Sequence, residues 1–216
     1  MTSSAAVIPI PQEDTDGDNR WMDVHTRYVH EMEDKEPDVI FVGDSHVTLL
    51  EQSEVYRTLF APMHCVCLGM RGDTTANVLW RLQNGELGST KPKIIVLWVG
   101  TNNREPPAEV IQGIRACADL LREKLPLATI FVLKIPPRGH EPNPRRDAIK
   151  TINDGLKDSL SHLSNCHILD CDPGFIGSDG RINHSDMYDY LHLTNEGYKK
   201  AFESVYLAIQ TVLSPE

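Results

Sequence analysis

What this chain of 216 residues lacks limits its roles before any motif is considered. It has no apolar run near the roughly 20 residues that a membrane-spanning helix needs, so stable membrane insertion is not expected. At the N-terminus only residues 5–10 are apolar. No basic region precedes them and Pro9 interrupts them, so they are too short for a secretory leader. Positive charge is scarce: 21 Lys and Arg stand against 31 Asp and Glu, a net charge of −10. Such a surface repels phosphate backbones and is drawn weakly to anionic lipid, which argues against nucleic acid as a partner. There is no C-x-x-C pair, and the cysteines at 65, 67, 117, 166 and 171 are odd in number. Buried free thiols in a reducing compartment are expected, rather than a disulfide framework or a zinc site. These absences fit a cytoplasmic protein.

The composition that remains is ordinary for a globular domain, with 40% hydrophobic and 24% charged residues. Residues 1–19 are polar, acidic and proline-containing, and read as a flexible tail. Residues 20–216 read as a single domain without repeats or long linkers. Five short apolar runs, at 39–42, 65–68, 94–99, 130–135 and 167–169, predict strands. The first, third and fourth are rich in Val and Ile without alternation, as in strands buried on both faces. Helical spacing appears at 75–82, 108–125, 148–163 and 194–212, the last with Thr194 and Glu196 as capping residues. Alternating strands and helices predict an α/β fold, with a parallel sheet of about five strands between helical layers. Three polar turns, Gly43-Asp44-Ser45, Gly69 to Asp73 and Gly100-Thr101-Asn102, each follow a strand directly. In such sheets these turns converge at the carboxyl edge, where ligands bind.

The chemistry these turns offer depends on a base. A serine hydroxyl needs an adjacent base to act as a nucleophile. Asp189-Tyr190-Leu191-His192 places an acid three residues before a histidine, a spacing at which both can share one face. The carboxylate can then orient His192 through Nδ1 and leave Nε2 for the Ser45 proton. Asp170, Asp172 and Asp186 are rival acids and His184 a rival base. The Ser45 N–H, the Gly72 N–H and the Asn102 amide are candidate donors to an oxyanion. Each motif also has a plain structural reading: Ser45 as a helix cap, Asn102-Asn103 as turn residues, and Asp189 with His192 as a surface pair. Asp44, next to the serine, is expected to bond turn N–H groups. Val47 stands where G-x-S-x-G would need its second glycine, so the α/β-hydrolase elbow is not expected. The proline-rich stretch 136–144 reads as a rigid connecting loop.

Ser45, Gly72, Asn102 and His192 stand in the order of the four blocks of the SGNH (GDSL-type) hydrolases, and the chain resembles that family. Longer stretches, Gly72 to Thr75, Val78 to Leu82, Asn84 to Leu87, Trp98 to Asn103 and Asp186 to Leu193, resemble the catalytic α subunits of cytosolic type I platelet-activating-factor acetylhydrolases. The resemblance implies a flavodoxin-like three-layer αβα sandwich and hydrolysis of an sn-2 acetyl ester or related short-acyl phospholipid, with no metal or other cofactor. It implies Ser45 as nucleophile, His192 as general base and acid, and Asp189 as its orienting carboxylate. Ser45, Gly72 and Asn102 then form the oxyanion hole, and His46, Thr101 and Leu191 line the acyl pocket. It also implies a homodimer or a heterodimer with a paralogous α subunit, and a WD40 β-propeller regulatory subunit as partner. Two positions depart from the pattern: His46 replaces an apolar residue after the nucleophile, and Arg71 replaces a glycine. They motivate an alternative, a weakly active or inactive homologue that acts as a dimeric binding partner of the WD40 subunit.

Overall fold

In the computed structural model the described residues are 4–214. Five strands, β1 (Val39–Gly43), β2 (Cys65–Gly69), β3 (Ile94–Trp98), β4 (Thr129–Leu133) and β5 (Cys166–Leu169), form one sheet in the order β2-β1-β3-β4-β5. Every pairing is parallel. The helices are α1 (Arg20–Glu33), α2 (Ser45–Glu51), α3 (Thr75–Gln83), α4 (Pro107–Lys124), α5 (Pro144–Leu160) and α6 (Asn195–Leu213). The expected three-layer α/β architecture with five parallel strands is therefore present.

Strand pleating divides the core in two. In β1, Ile40 and Val42 face one apolar cluster, shared with Tyr28 and Met32 of α1 and with α3, α4 and α5. Val39 and Phe41 face the other, shared with Val47 and Leu50 of α2 and with Tyr198, Phe202, Val205 and Ile209 of α6. This two-sided burial is why the central strands do not alternate in sequence. Burying each such large side chain contributes about 1.5–3 kcal/mol, which makes the two faces the main source of cohesion. Cys65, Cys67, Cys117 and Cys171 are buried free thiols as expected, while Cys166 on the edge strand is half-buried. Among the described residues no helix is long and apolar enough to cross a membrane.

Two elements differ from expectation. Helix α1 carries an apolar stripe, Trp21, Val24, Tyr28 and Met32, which packs on the first face. Residues 4–10, expected as a loose tail, instead dock on α3 and α4. Ala6 is fully buried, its carbonyl accepts from Thr75 Oγ1 at 2.8 Å, and Ser4 Oγ donates to Glu109 at 2.6 Å. Asn77 Nδ2 donates to the Ile10 carbonyl at 3.0 Å. The segment stays because its small apolar residues and backbone groups find partners on two helices. Residues 1–3 lie outside the described part.

Beneath the carboxyl ends of β1 and β2 lies a buried ionic cluster. Arg81 of α3 is fully buried and donates to the Gly43 carbonyl at 2.9 Å and the Leu68 carbonyl at 3.2 Å. It donates to Glu86 and places Nε 2.8 Å from Asp73 Oδ2, an ion pair whose alignment falls short of a hydrogen bond. Trp21 Nε1 of α1 donates to Asp73 at 2.7 Å, and His25 Nδ1 lies 3.3 Å from Glu86. Burial opposes the Arg81 charge, but Glu86 and Asp73 outweigh it and hold the guanidinium above its ordinary value. Arg81→Met leaves two buried carboxylates and two carbonyls without their donor. A loss of about 3–5 kcal/mol in stability is expected, read from the shift in denaturant midpoint.

Burial also pushes the Asp73 carboxyl up to about 7, with Arg81 and the Trp21 N–H pulling the other way. A carboxyl raised in the fold binds its proton more tightly there than in the unfolded chain. Its contribution to stability is therefore full below about pH 4 and is lost as pH rises towards about 7. Asp73→Asn is expected to flatten this part of the stability profile, measured by denaturant unfolding at pH 5 and pH 7.5. A slope equal to the wild type's would rule the assignment out.

Candidate active site

Strand β1 ends at Gly43, and Asp44 caps α2, so Ser45 is the first residue of the helix. As expected for Asp44, its Oδ1 accepts from the His46 N–H at 2.9 Å, while its carbonyl accepts from Val47 and Thr48. The Ser45 N–H is left with no partner among the described residues, as the first helical N–H is. The start of α2 presses onto the end of β2: a Cβ at Gly69 would run into Thr48 N, so only glycine lets the two backbones meet.

The late acid–base pair comes to this same edge. Asp189 Oδ1 accepts from the N–H groups of Leu191 and His192, at 3.1 and 2.7 Å. Its Oδ2 lies 2.6 Å from His192 Nδ1, and His192 Nε2 lies 2.9 Å from Ser45 Oγ. The Asp189 carboxyl is partly desolvated, which raises it, but the His192 N–H groups and ring outweigh this and hold it below its ordinary value. The carboxylate thus fixes Nδ1 as the donor, and Nε2 is the nitrogen that can accept from Ser45. The rival groups are elsewhere. Asp186 pairs with Lys200 at 2.7 Å, Asp170 with Lys134 at 2.8 Å, and Asp172 closes its own turn through Gly174 and Phe175.

Tyr190, inside this loop, has φ +60, an unusual conformation for a bulky residue. It is held from outside: the Gly139 N–H donates to its carbonyl at 2.7 Å and its ring lies 4.6 Å from that of His140. The stretch 136–144, expected as a plain connection, therefore braces the loop that carries Asp189 and His192. Gly72 has φ +82, a left-handed conformation that glycine supplies without strain, and its N–H has no partner among the described residues. Gln12 Nε2 crosses over this loop and donates to the Arg71 carbonyl at 3.3 Å. Asn102 Nδ2 donates to the Asp73 carbonyl at 3.0 Å, which fixes the amide while leaving its second hydrogen available. The third turn is tied to α3 by Asn103, whose Oδ1 accepts from Thr75 N at 3.0 Å.

The three expected acyl-pocket residues are placed differently from simple walls. His46 is 1% exposed, with Nδ1 3.0 Å from Asp44 Oδ1, Nε2 3.1 Å from the Leu191 carbonyl, and its ring 4.8 Å from Trp98. Both ring nitrogens face acceptors, so both bonds are donated at once only by a ring carrying two protons. Rather than facing open space, His46 clamps the backbone beside His192 to the residue before Ser45. Thr101 is also interior, its carbonyl accepting from Arg138 at 3.0 Å and from Arg145 at 2.7 Å. Leu191 is half-buried and is held through its carbonyl. His46→Leu removes the donor to that carbonyl and leaves Asp44 facing an apolar neighbour. A stability loss of about 1–3 kcal/mol is expected by denaturant unfolding, and His46→Gln, which retains a donor, should recover part of it.

Residues 41–200 match the GDSL-like lipase/acylhydrolase family, and the chain belongs to that family of hydrolases. Among curated proteins it is 50% identical over 212 residues to the alpha2 subunit of human platelet-activating factor acetylhydrolase IB, covering 98% of this chain and 93% of that protein. It is 46% identical over 209 residues to the human alpha1 subunit, covering 96% of this chain and 90% of that one. A solved GDSL-like lipase from Bacteroides thetaiotaomicron shares the fold at 17% identity, with a TM-score of 0.73 over 87% of this chain and 97% of that one. Both the resemblance and the fold class read from the sequence thus hold.

Proposed function

We propose that the chain is a serine esterase that hydrolyses the sn-2 acetyl ester of platelet-activating factor or of a related short-acyl phospholipid. The observation that carries this reading is the line from Asp189 Oδ2 to His192 Nδ1 at 2.6 Å, and from His192 Nε2 to Ser45 Oγ at 2.9 Å. In the first half-reaction Ser45 Oγ attacks the ester carbonyl as His192 Nε2 takes its proton, with Asp189 stabilising the imidazolium. The Ser45 N–H, the Gly72 N–H and the Asn102 amide are the donors for the oxyanion. His192 returns the proton to the departing alcohol oxygen, leaving Ser45 acylated. Water, deprotonated by His192, then attacks the acyl-enzyme and releases the acid and the free serine.

The choice of substrate is supported by the names borne by relatives 46–50% identical over nearly the whole chain. The same kinship motivates a homodimer or a heterodimer with a paralogous α subunit, a WD40 β-propeller regulatory subunit as partner, and a cytoplasmic setting. A second reading, a weakly active homologue kept as a dimeric binding partner, draws on His46, which adds a ring between Asp44 and the catalytic loop.

Fluorophosphonate labelling separates the two. Rapid, specific modification of Ser45 in the wild type, absent in Ser45→Ala, supports the esterase. Ser45→Ala is expected to lower turnover of p-nitrophenyl acetate by at least about 10³-fold, and Asp189→Asn by about 10²–10⁴-fold in kcat. Wild-type rates in Ser45→Ala would end this reading.

A further inference from the structure

On the esterase reading the Gly72 N–H is an oxyanion donor, yet nothing within its own turn fixes where it points. The Asp73 N–H donates to the Met70 carbonyl at 3.3 Å, closing a four-residue turn with Arg71 and Gly72 at its centre. Gly72 has φ +82 while Arg71 is outside the positive-φ region, the pattern of a type II turn. A type I turn keeps the same closing bond and differs mainly by rotation of the central peptide plane, here the one between Arg71 and Gly72. Glycine takes φ of either sign, so both turns are open to this sequence. The rotation reverses the Gly72 N–H, because the C=O and N–H of a trans peptide point in opposite directions.

A side chain from outside the turn holds the other end of that peptide plane. Gln12 Nε2 donates to the Arg71 carbonyl at 3.3 Å. It lies so close over the turn that a Cβ on Gly72 would come within 2.8 Å of it. Gln12 is delivered there by a tethered segment. Ser4 Oγ donates to Glu109 at 2.6 Å, and the Ala6 carbonyl accepts from Thr75 Oγ1 at 2.8 Å. The Ile10 N–H donates to the Ala76 carbonyl at 3.3 Å, and the Ile10 carbonyl accepts from Asn77 Nδ2 at 3.0 Å. Gly113 of α4 leaves the space this needs, since a Cβ there would run into Thr75 Oγ1 and the Ala6 carbonyl. Pro9 and Pro11 restrict the backbone on either side of Ile10. The anchors at Thr75, Ala76 and Asn77 form the first turn of α3, directly after the turn that Gln12 reaches.

We propose that Gln12 is a positioning residue, which holds the Arg71 carbonyl and thereby keeps the Gly72 N–H turned away from itself and free to meet an oxyanion. This rests on the esterase reading above. Without the Gln12 donor the peptide plane is shared between two orientations, and fewer molecules present all three oxyanion donors at once. Ground-state binding of the ester does not depend on that N–H, so the effect falls on kcat.

Gln12→Met, similar in length but without a donor, tests this in the full-length protein. With p-nitrophenyl acetate, kcat is expected to fall about three- to tenfold at unchanged KM, the range set by one solvent-accessible hydrogen bond. Gln12 belongs to neither apolar cluster, so the variant keeps the fold. A second readout needs no activity. The nuclear Overhauser contact between Arg71 Hα and the Gly72 N–H is strong in a type II turn and weak in type I, and is expected to weaken in Gln12→Met. Wild-type kcat in Gln12→Met, or a loss confined to KM, overturns the role of Gln12. The esterase reading fails separately, if the wild type cleaves no acetyl ester. The Overhauser contact then decides alone: weakened in Gln12→Met it keeps the positioning role, and unchanged it overturns it.

Discussion

Arg81 is a cation without water, and the carboxyl edge of the sheet is arranged around it. Stripping an ion of its hydration costs several kcal/mol even after the protein relaxes, so its charge needs close partners. Here they are the last carbonyl of β1, the penultimate carbonyl of β2, Glu86 and Asp73. Two of those acceptors adjoin the candidate site: Gly43 lies two residues before Ser45, and Asp73 one residue after Gly72. One side chain from α3 therefore sets the spacing between the turn that carries Ser45 and the turn that carries Gly72. Trp21 and His25 of α1 close the cluster from the other side, which gives that helix a part in positioning the site.

The His192 loop has no buried ion of this kind; Asp189 ties it from within and other segments hold it from its margins. It follows no strand, and its Tyr190 sits in a conformation that costs energy unless neighbours impose it. Gly139 and His140 grip Tyr190, while His46 grips the Leu191 carbonyl. Two separate segments thus help to place one imidazole within hydrogen-bond reach of Ser45. The braces are polar and local, so chemical changes at His46 act on the position of His192.

Much of this arrangement is legible in the sequence. The Val- and Ile-rich runs announced strands buried on both faces, and glycine after β1, β2 and β3 marked the turns that converge. Asp189 three residues before His192 pointed to a carboxylate paired with an imidazole, because that spacing lets both share one face. The stripe Trp21, Val24, Tyr28 and Met32 has helical spacing but was not among the expected helices. It lay next to an acidic, proline-containing stretch, and composition there pointed to a loose tail. What composition cannot register is that Ala6 and the Ile10 carbonyl find partners 67 to 69 residues away.

By itself the sequence determined the fold class and the succession of strands and turns, since these follow from periodicity and glycine placement, and its motifs pointed to the hydrolase family. Only the tertiary structure decided where long-range polar groups went. Nothing near Arg81 in the chain says that it will meet Gly43, 38 positions earlier. Nothing near His46 says that its ring will reach Leu191, 145 positions later. Nothing near Arg138 and Arg145 says that both will donate to the Thr101 carbonyl. Desolvation is the physical reason. A polar group in the interior takes whatever partner the packed backbone presents, and that partner is fixed by three-dimensional closure rather than by sequence distance.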